Sequence, residues 1–444
     1  MKKYCVNFPR FVIMFNYLLV CTGLILVSCS KSPELSVFPK EIIFDAYLVE
    51  EQTIDISANV AWTVETLPRT TWFTIEPMQG RGNATITVAA VENYAFTGRN
   101  ARIIISGQGT QTDTIRVVQT AGVDVADIID DTVFLQFCID KYDTKPKDGK
   151  LSMEEILGVI RMEDIKKQGI TSLAGIEYFR NLRFLDCSNN LLESLDVSAN
   201  KALTTLNCSG NYWLTDINVT GNEELLTLDC SYTAITNIDV STNIKLTELV
   251  LFSLGPNQDQ SGQEKLSHID VRNNTALRKL VVSNNQIEEL DVSNNPDLKH
   301  LFCNENRLHE LALTANANLT TLYCGNNRLE TLDVSKNTLL DSLYCNDNKL
   351  KELLLNQNPA LVYLSCARNI EITKLDVTKN VRLKNLESNN NDIDGVVNLV
   401  QNRGLEKFNF KSNPRLNTIV IWSGFVPNSS DHQIDSPPTS YQYQ

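Results

Sequence analysis

The chain is 444 residues long, with a formal net charge of −13, 42% apolar residues, 4 histidines and 11 cysteines. That length calls for two or three domains, and an acidic surface with no run of basic residues argues against a nucleic-acid partner. No CxxC pair is present, which with so few histidines argues against zinc.

At the N-terminus, Lys2, Lys3 and Arg10 precede an apolar run at 11–27. It is short for a spanning helix, is broken by Asn16 and Gly23, and ends in Leu26-Val27-Ser28-Cys29. The pattern resembles a bacterial lipoprotein signal with its lipobox. The resemblance implies that residues 1–28 are removed and Cys29 is lipidated. Ser30, not an aspartate, follows, which implies the outer membrane with the chain facing out from the cell. An uncleaved anchor is the alternative. Losing Lys2, Lys3 and Arg10 takes the charge from −13 to −16. Residues 29–34 read as a tether.

Residues 35–122 read as a separate all-β module. Short alternating runs at 53–57, 85–89, 101–106 and 114–119 are divided by turn signals such as Gly80-Arg81-Gly82-Asn83 and Gly107-Gln108-Gly109. The pattern predicts an immunoglobulin-like β-sandwich. Ala61-Trp62-Thr63-Val64, Trp72-Phe73-Thr74-Ile75, residues 80–87, Asn93, residues 99–105 and Val117-Val118-Gln119 resemble the BACON domain. That family is associated with carbohydrate binding, often beside glycan-degrading enzymes, and the resemblance implies either a sugar binder or a spacer. Trp62 and Trp72 are the candidate sugar-stacking residues, set against the plainer reading of both as core.

Residues 123–168 read as a helical linker and cap. Within it, Asp148-Gly149-Lys150-Leu151-Ser152-Met153-Glu154-Glu155 resembles the latter half of an EF-hand or dockerin loop. That likeness makes calcium the one cofactor candidate, with Asp143, Asp148 and Glu155 as ligands. The first half departs from the motif: Thr144 and Pro146 stand where oxygen ligands belong, and Asp143 aligns only with one extra residue. No cofactor is therefore expected, and the segment reads instead as a cover for the end of the next domain.

From 169 to 421 one frame recurs eleven times. Its leading leucines are Leu182, Leu203, Leu225, Leu246, Leu277, Leu298, Leu319, Leu340, Leu361, Leu383 and Leu405, in steps of 21 or 22 residues except for one of 31. A period of this size marks a solenoid. Alternation turns Leu322, Cys324, Leu332 and Val334 inward and Tyr323 and Asp333 outward. Two asparagine columns, one running from Asn190 to Asn413 and one from Asn200 to Asn380, follow the strands at the corners, where an amide can bond unpaired backbone groups. Cys187, Cys208, Cys230, Cys303, Cys324, Cys345 and Cys366 share a slot that also takes Leu251 and Val282, so they read as small apolar core residues.

Cys187-Ser188-Asn189-Asn190 and Leu195-Asp196-Val197-Ser198 give this frame its resemblance to the short bacterial form of the leucine-rich repeat family. The resemblance implies a curved solenoid used for binding, whose first segment in each turn lines the concave sheet. The outward column on that sheet then runs Asp186, Asn207, Asp229, Val250, Val281, Phe302, Tyr323, Tyr344, Ser365, Glu387, Asn409. Phe302, Tyr323 and Tyr344 fall on consecutive strands, with His300 and Tyr363 at their margin. Exposed aromatics grouped in this way mark a recognition surface; cross-strand stabilisation of the sheet is the alternative. The second segment carries Asp196, Asp239, Asp270, Asp291, Asp333 and Asp376 outward, read as solvated turn residues. The stretch 252–265 interrupts the array as a loop, and residues 422–444 read as a C-terminal cap with a loose tail.

The whole is expected to be mainly β: a sandwich, a short α-helical cap, and a curved leucine-rich repeat solenoid of about eleven turns. The expected function is that of a non-catalytic, lipid-anchored outer-membrane protein that binds a protein or glycoprotein on the solenoid. The alternative is a carbohydrate-capture lipoprotein of a glycan-utilisation system. No G-x-S-x-G, H-E-x-x-H or P-loop motif points to an enzyme.

Overall fold

A computed structural model describes residues 31–444 apart from 48, 145–146, 254–264, 429 and 436–438. Cys29 and the signal, and most of the loop expected at 252–265, lie outside the described residues. The described residues divide into two compact units, those up to 93 with 98–120, and residues 94–97 with those from 121 on.

In the first unit nine strands form two sheets. Strands β1 (Leu35–Phe38), β3 (Gln52–Ala58), β7 (Ala84–Ala90) and β5 (Phe73–Glu76) make one sheet in that order. Strands β2 (Glu41–Phe44), β9 (Asp113–Gln119), β8 (Arg99–Gly107), β4 (Ala61–Leu67) and β6 (Gln79–Arg81) make the other. Alternation decides the core: Ile54, Ile56, Ile86 and Val88 from one sheet meet Val64, Ile103, Ile105, Ile115 and Val117 from the other, and all are buried. The one polar side chain buried among the β9 residues is satisfied. Gln119 donates from Nε2 to the carbonyls of Asp45 and Val91 at 3.0 Å each, and its Oε1 accepts from Arg99 Nε at 2.8 Å.

The second unit begins with helix α1 (Thr132–Tyr142). Asp131 caps it, accepting from the N–H groups of Val133 and Phe134, while its other oxygen accepts from the Thr171 N–H and hydroxyl at 2.7 Å. Phe134, Cys138 and Tyr142, spaced four apart, are its buried face, and the Phe134 and Tyr142 rings pack on Phe179. Helix α2 (Met153–Ile156) follows, closed by a capping box between Ser152 and Glu155.

Beyond them runs a thirteen-stranded parallel sheet. Eleven strands are those predicted, each three residues long; one more is added at each end, Arg161–Met162 before and His432–Gln433 after. The sheet thus starts upstream of 169 and ends downstream of 421. Nor is the C-terminus a loose tail: Ser440–Tyr443 pairs in parallel with Leu416–Ile421, Phe425, His432 and Tyr441 cluster on Phe408, and Trp422 packs on Phe425. These rings do for the last turn what α1 does for the first, covering apolar side chains that have no further turn to meet. Among the described residues the second segments of the turns pair as strands only near the two ends, as Ser194–Asp196 with Asp216–Asn218 and as the three-stranded set that holds Ser440–Tyr443.

Both asparagine columns bind backbone. In the first, Asn327 donates from Nδ2 to the carbonyls of Cys303 and Cys324 at 3.0 and 3.1 Å, and its Oδ1 accepts from the Leu308 N–H at 3.0 Å. Each such residue stitches its own turn to the one before it. In the second, Asn316 donates to the carbonyls of Val292 and Asn295, both at 2.9 Å. This column runs on through Asn402, one turn beyond its predicted end. The residue ahead of each first-column asparagine is left-handed in backbone, which suits Asn189, Asn284, Asn326 and Gly210 but is also imposed on Glu305 and Arg368.

Candidate binding surface

The register of the long sheet decides which side chains become neighbours. Val250 pairs with Val281, Val281 with Phe302, Phe302 with Tyr323, and Tyr323 with Tyr344. Five consecutive strands therefore present a continuous apolar and aromatic strip, bounded by Asp229 on one side and Ser365 and Glu387 on the other. With strands about 4.8 Å apart the strip is roughly 19 Å long. Its residues are half-buried, neither core nor fully exposed. The Phe302 and Tyr323 rings meet edge to face with centroids 4.9 Å apart, and Tyr323 and Tyr344 at 4.2 Å with an interplanar angle of 48°. Burial, then the hydrogen-bonded Tyr323 hydroxyl, pushes the Tyr344 phenol up to about 12, so it is neutral at physiological pH.

The margin is occupied as predicted in position. Tyr363 pairs with Ser342 and is 39% exposed, and His300 pairs with Thr321, its Nδ1 lying 3.2 Å from the Thr321 hydroxyl. Val250 and Val281 lengthen the strip beyond the aromatic trio that the sequence singled out. Their signal was already present in the outward column as an unbroken apolar run between Asp229 and Ser365.

The tryptophans of the sandwich are core. Trp62 is 2% exposed and its Nε1 donates to the Gly82 carbonyl at 2.9 Å; a methyl group on Gly80 would stand 2.3 Å from its ring, so that glycine's backbone covers one face. Trp72 is 9% exposed, packed edge-on to Phe73 at 4.6 Å with the Arg99 guanidinium 4.9 Å over its ring. Neither offers the free ring face that stacking on a sugar requires, which corrects their reading as sugar-binding candidates.

The calcium candidates are engaged by their own loop. Asp143 accepts from the N–H groups of Asp148 and Gly149, Asp148 from that of Lys150, and Glu155 from those of Thr144 and Ser152. Among the described residues no three His, Cys, Asp or Glu side chains are grouped to hold a metal. The seven stacked cysteines are buried free thiols. Burial pushes Cys303 up to about 12 and Cys366 to about 11, far from the thiolate that nucleophilic chemistry needs.

On the second segments each outward aspartate accepts from the N–H two residues on, at 2.8–3.0 Å for Asp196, Asp239, Asp270, Asp291, Asp333 and Asp376. The hydroxyls of Ser241, Ser293 and Thr378, followed by those N–H groups, hold Asp239, Asp291 and Asp376 below the usual carboxylate range. At Asp333 the Ser335 N–H leads, and at Asp270 the Arg272 guanidinium does. A depressed carboxylate adds stability that is complete above its unfolded pKa and is lost as pH falls through its folded one. The urea midpoint of the chain is therefore expected to be flat from pH 7 to about 5 and to fall below about pH 4. A midpoint that holds steady down to pH 3 would show that the column contributes nothing.

Residues 60–120 match the family model of the BACON domain, and residues 180–221 match that of leucine-rich repeats in two copies. No curated protein matches the chain. Among solved structures, an internalin, inlF, from Listeria monocytogenes is similar with 20% identity and a TM-score of 0.56, over 71% of this chain and 93% of that one. The functional domain of InlJ from the same organism, which includes a cysteine ladder, is similar with 26% identity and a TM-score of 0.45, over 70% of this chain and 76% of that one. The chain is mainly β, an N-terminal sheet domain in which residues 60–120 match the BACON model, followed by a parallel β-solenoid that resembles a leucine-rich repeat internalin in fold.

Proposed function

We propose that the chain is a non-catalytic binding protein of the cell surface, and that the solenoid sheet captures a protein partner on the strip from Val250 to Tyr344. The observation that carries this reading is the contiguous run of apolar and aromatic side chains on five paired strands. Large side chains with few rotors lose little entropy on contact, and rigid strands hold them in place. Rings inclined to one another by 61° and 48° give an uneven surface that suits interdigitating protein side chains better than the flat face of a pyranose. With Trp62 and Trp72 in the core, neither tryptophan can serve as the platform for sugar capture, and we read the module as a spacer.

Tyr323→Ala combined with Tyr344→Ala is expected to cost no more than about 1–2 kcal/mol of stability, the value of two half-buried cross-strand ring pairs. On an array of purified extracellular proteins the same variant is expected to lose the partners that the parent retains. If every partner of the parent is kept by the variant, the strip is not the binding face.

The attachment we propose is a lipid on Cys29, in the outer membrane. It is supported by the basic residues, the apolar run and the Leu26-Val27-Ser28-Cys29 sequence described above. Cys29→Ala is expected to abolish metabolic labelling of the chain with palmitate and to move it out of the membrane fraction. Undiminished labelling would rule the site out.

A further inference from the structure

Stacking gathers basic side chains that the sequence keeps apart. Lys279 and His300 face each other in register, and Arg278 and Lys299 precede them on the same two turns, with the Lys299 N–H donating to the Arg278 carbonyl at 2.8 Å. Those turns also carry Val281 and Phe302, so the four groups lie along one flank of the strip. Arg278 and Lys299 are exposed, and among the described residues neither side chain has an ion-pair partner; Lys279 is balanced in part by Glu248 at 3.7 Å. In a chain of net charge −13 this is a local reversal of sign placed beside the apolar contact surface.

From that juxtaposition we infer that the strip takes an acidic protein segment, in which an aromatic or branched aliphatic side chain seats on Phe302, Tyr323 and Tyr344 while neighbouring carboxylates face Arg278 and Lys299. The inference rests on the binding face proposed above and specifies what fits it. The chain's net charge of −13 disfavours an acidic partner at long range, so Arg278 and Lys299 beside the strip set its register there as well as adding attraction. A polynucleotide fits less well. It would need many phosphate contacts, whereas Asp229, Glu248 and Glu387 border the same strip.

The test is to pan a random phage-displayed peptide library on the full chain and to synthesise the enriched peptides. Enrichment of sequences that combine Asp or Glu with Phe, Tyr, Trp, Leu or Ile is expected. Their binding should fall at least about tenfold at low salt in Arg278→Glu with Lys299→Glu, by less as salt rises, and should vanish in Tyr323→Ala with Tyr344→Ala. Because Arg278 and Lys299 are exposed, the melting curve of the charge variant should match that of the parent, and the milder Arg278→Gln with Lys299→Gln should give an intermediate loss. Ring-dependent peptides of neutral or basic character, or acidic ones that bind the charge-reversed chain as well as the parent, overturn the inference while leaving the binding face intact. Peptides that ignore the rings overturn both. Ring-dependent binding of single-stranded nucleic acid or of a glycan array, or ring-dependent dimers in sedimentation, would assign the strip to a different occupant.

Discussion

Asn316→Asp is expected to destabilise the solenoid by about 3–5 kcal/mol, an unusually large loss for one polar side chain. Asn316 is fully buried, and its Nδ2 supplies the donors for two buried carbonyls, those of Val292 and Asn295. Leaving a buried acceptor unsatisfied costs about 1–3 kcal/mol. The substitution also points a carboxylate at both oxygens, in a site where the parent's own Oδ1 already has no hydrogen-bond partner. Burial without donors raises the new carboxyl's folded pKa above its unfolded one. The penalty is therefore smallest below about pH 4, where both states are protonated, and grows as pH rises. Urea unfolding at several pH values checks this. Asn316→Leu supplies the control, since it loses the donors without adding charge and should cost less. A loss under about 1 kcal/mol at neutral pH in Asn316→Asp would mean that the second asparagine column does not hold the turns together.

Trp62→Ala is expected to cost the sandwich about 3–5 kcal/mol, the range for emptying a large aromatic site in a core. A tryptophan placed for sugar stacking would be exposed, and its removal would leave stability nearly unchanged. Gly80 sharpens the distinction. A methyl group there would meet the Trp62 ring at 2.3 Å, so Gly80→Ala should destabilise the parent by about 1–3 kcal/mol through overpacking. It should cost little once Trp62 is alanine, because the clash is gone. Calorimetry of the full chain reads both effects on the sandwich transition. Additive losses from the two substitutions would show that the ring and the glycine are not in contact.

Much of the solenoid was legible because stacking turns a period into a set of columns. The leucines, the cysteines and both asparagine columns fall where the 21- or 22-residue frame puts them. The ends were not legible, since end turns are covered by other elements and need not repeat the frame. Arg161–Met162 and His432–Gln433 share no leucine pattern with the strands they join. Trp62 could have been placed in the core from its own strand, where it shares parity with Val64. Trp72 could not, because it stands just before β5, next to Phe73, and both are buried, so alternation gives no guide. In the half-matched calcium loop the side chains of Asp143, Asp148 and Glu155 accept from backbone N–H groups, a role that residue type alone does not announce. At the candidate surface the aromatic trio was readable from spacing alone. The basic cluster was not, because Arg278-Lys279 and Lys299-His300 become one patch only when adjacent turns are laid side by side.

The most direct measurement is hydroxyl-radical footprinting of the intact chain, free and with a bound protein partner. Phe302, Tyr323 and Tyr344 should be oxidised in the free chain and protected in the complex, while buried Trp62 stays unlabelled in both. Rings that resist labelling in the free chain, or that label equally with and without the partner, would contradict a solvent-facing binding strip on the solenoid sheet.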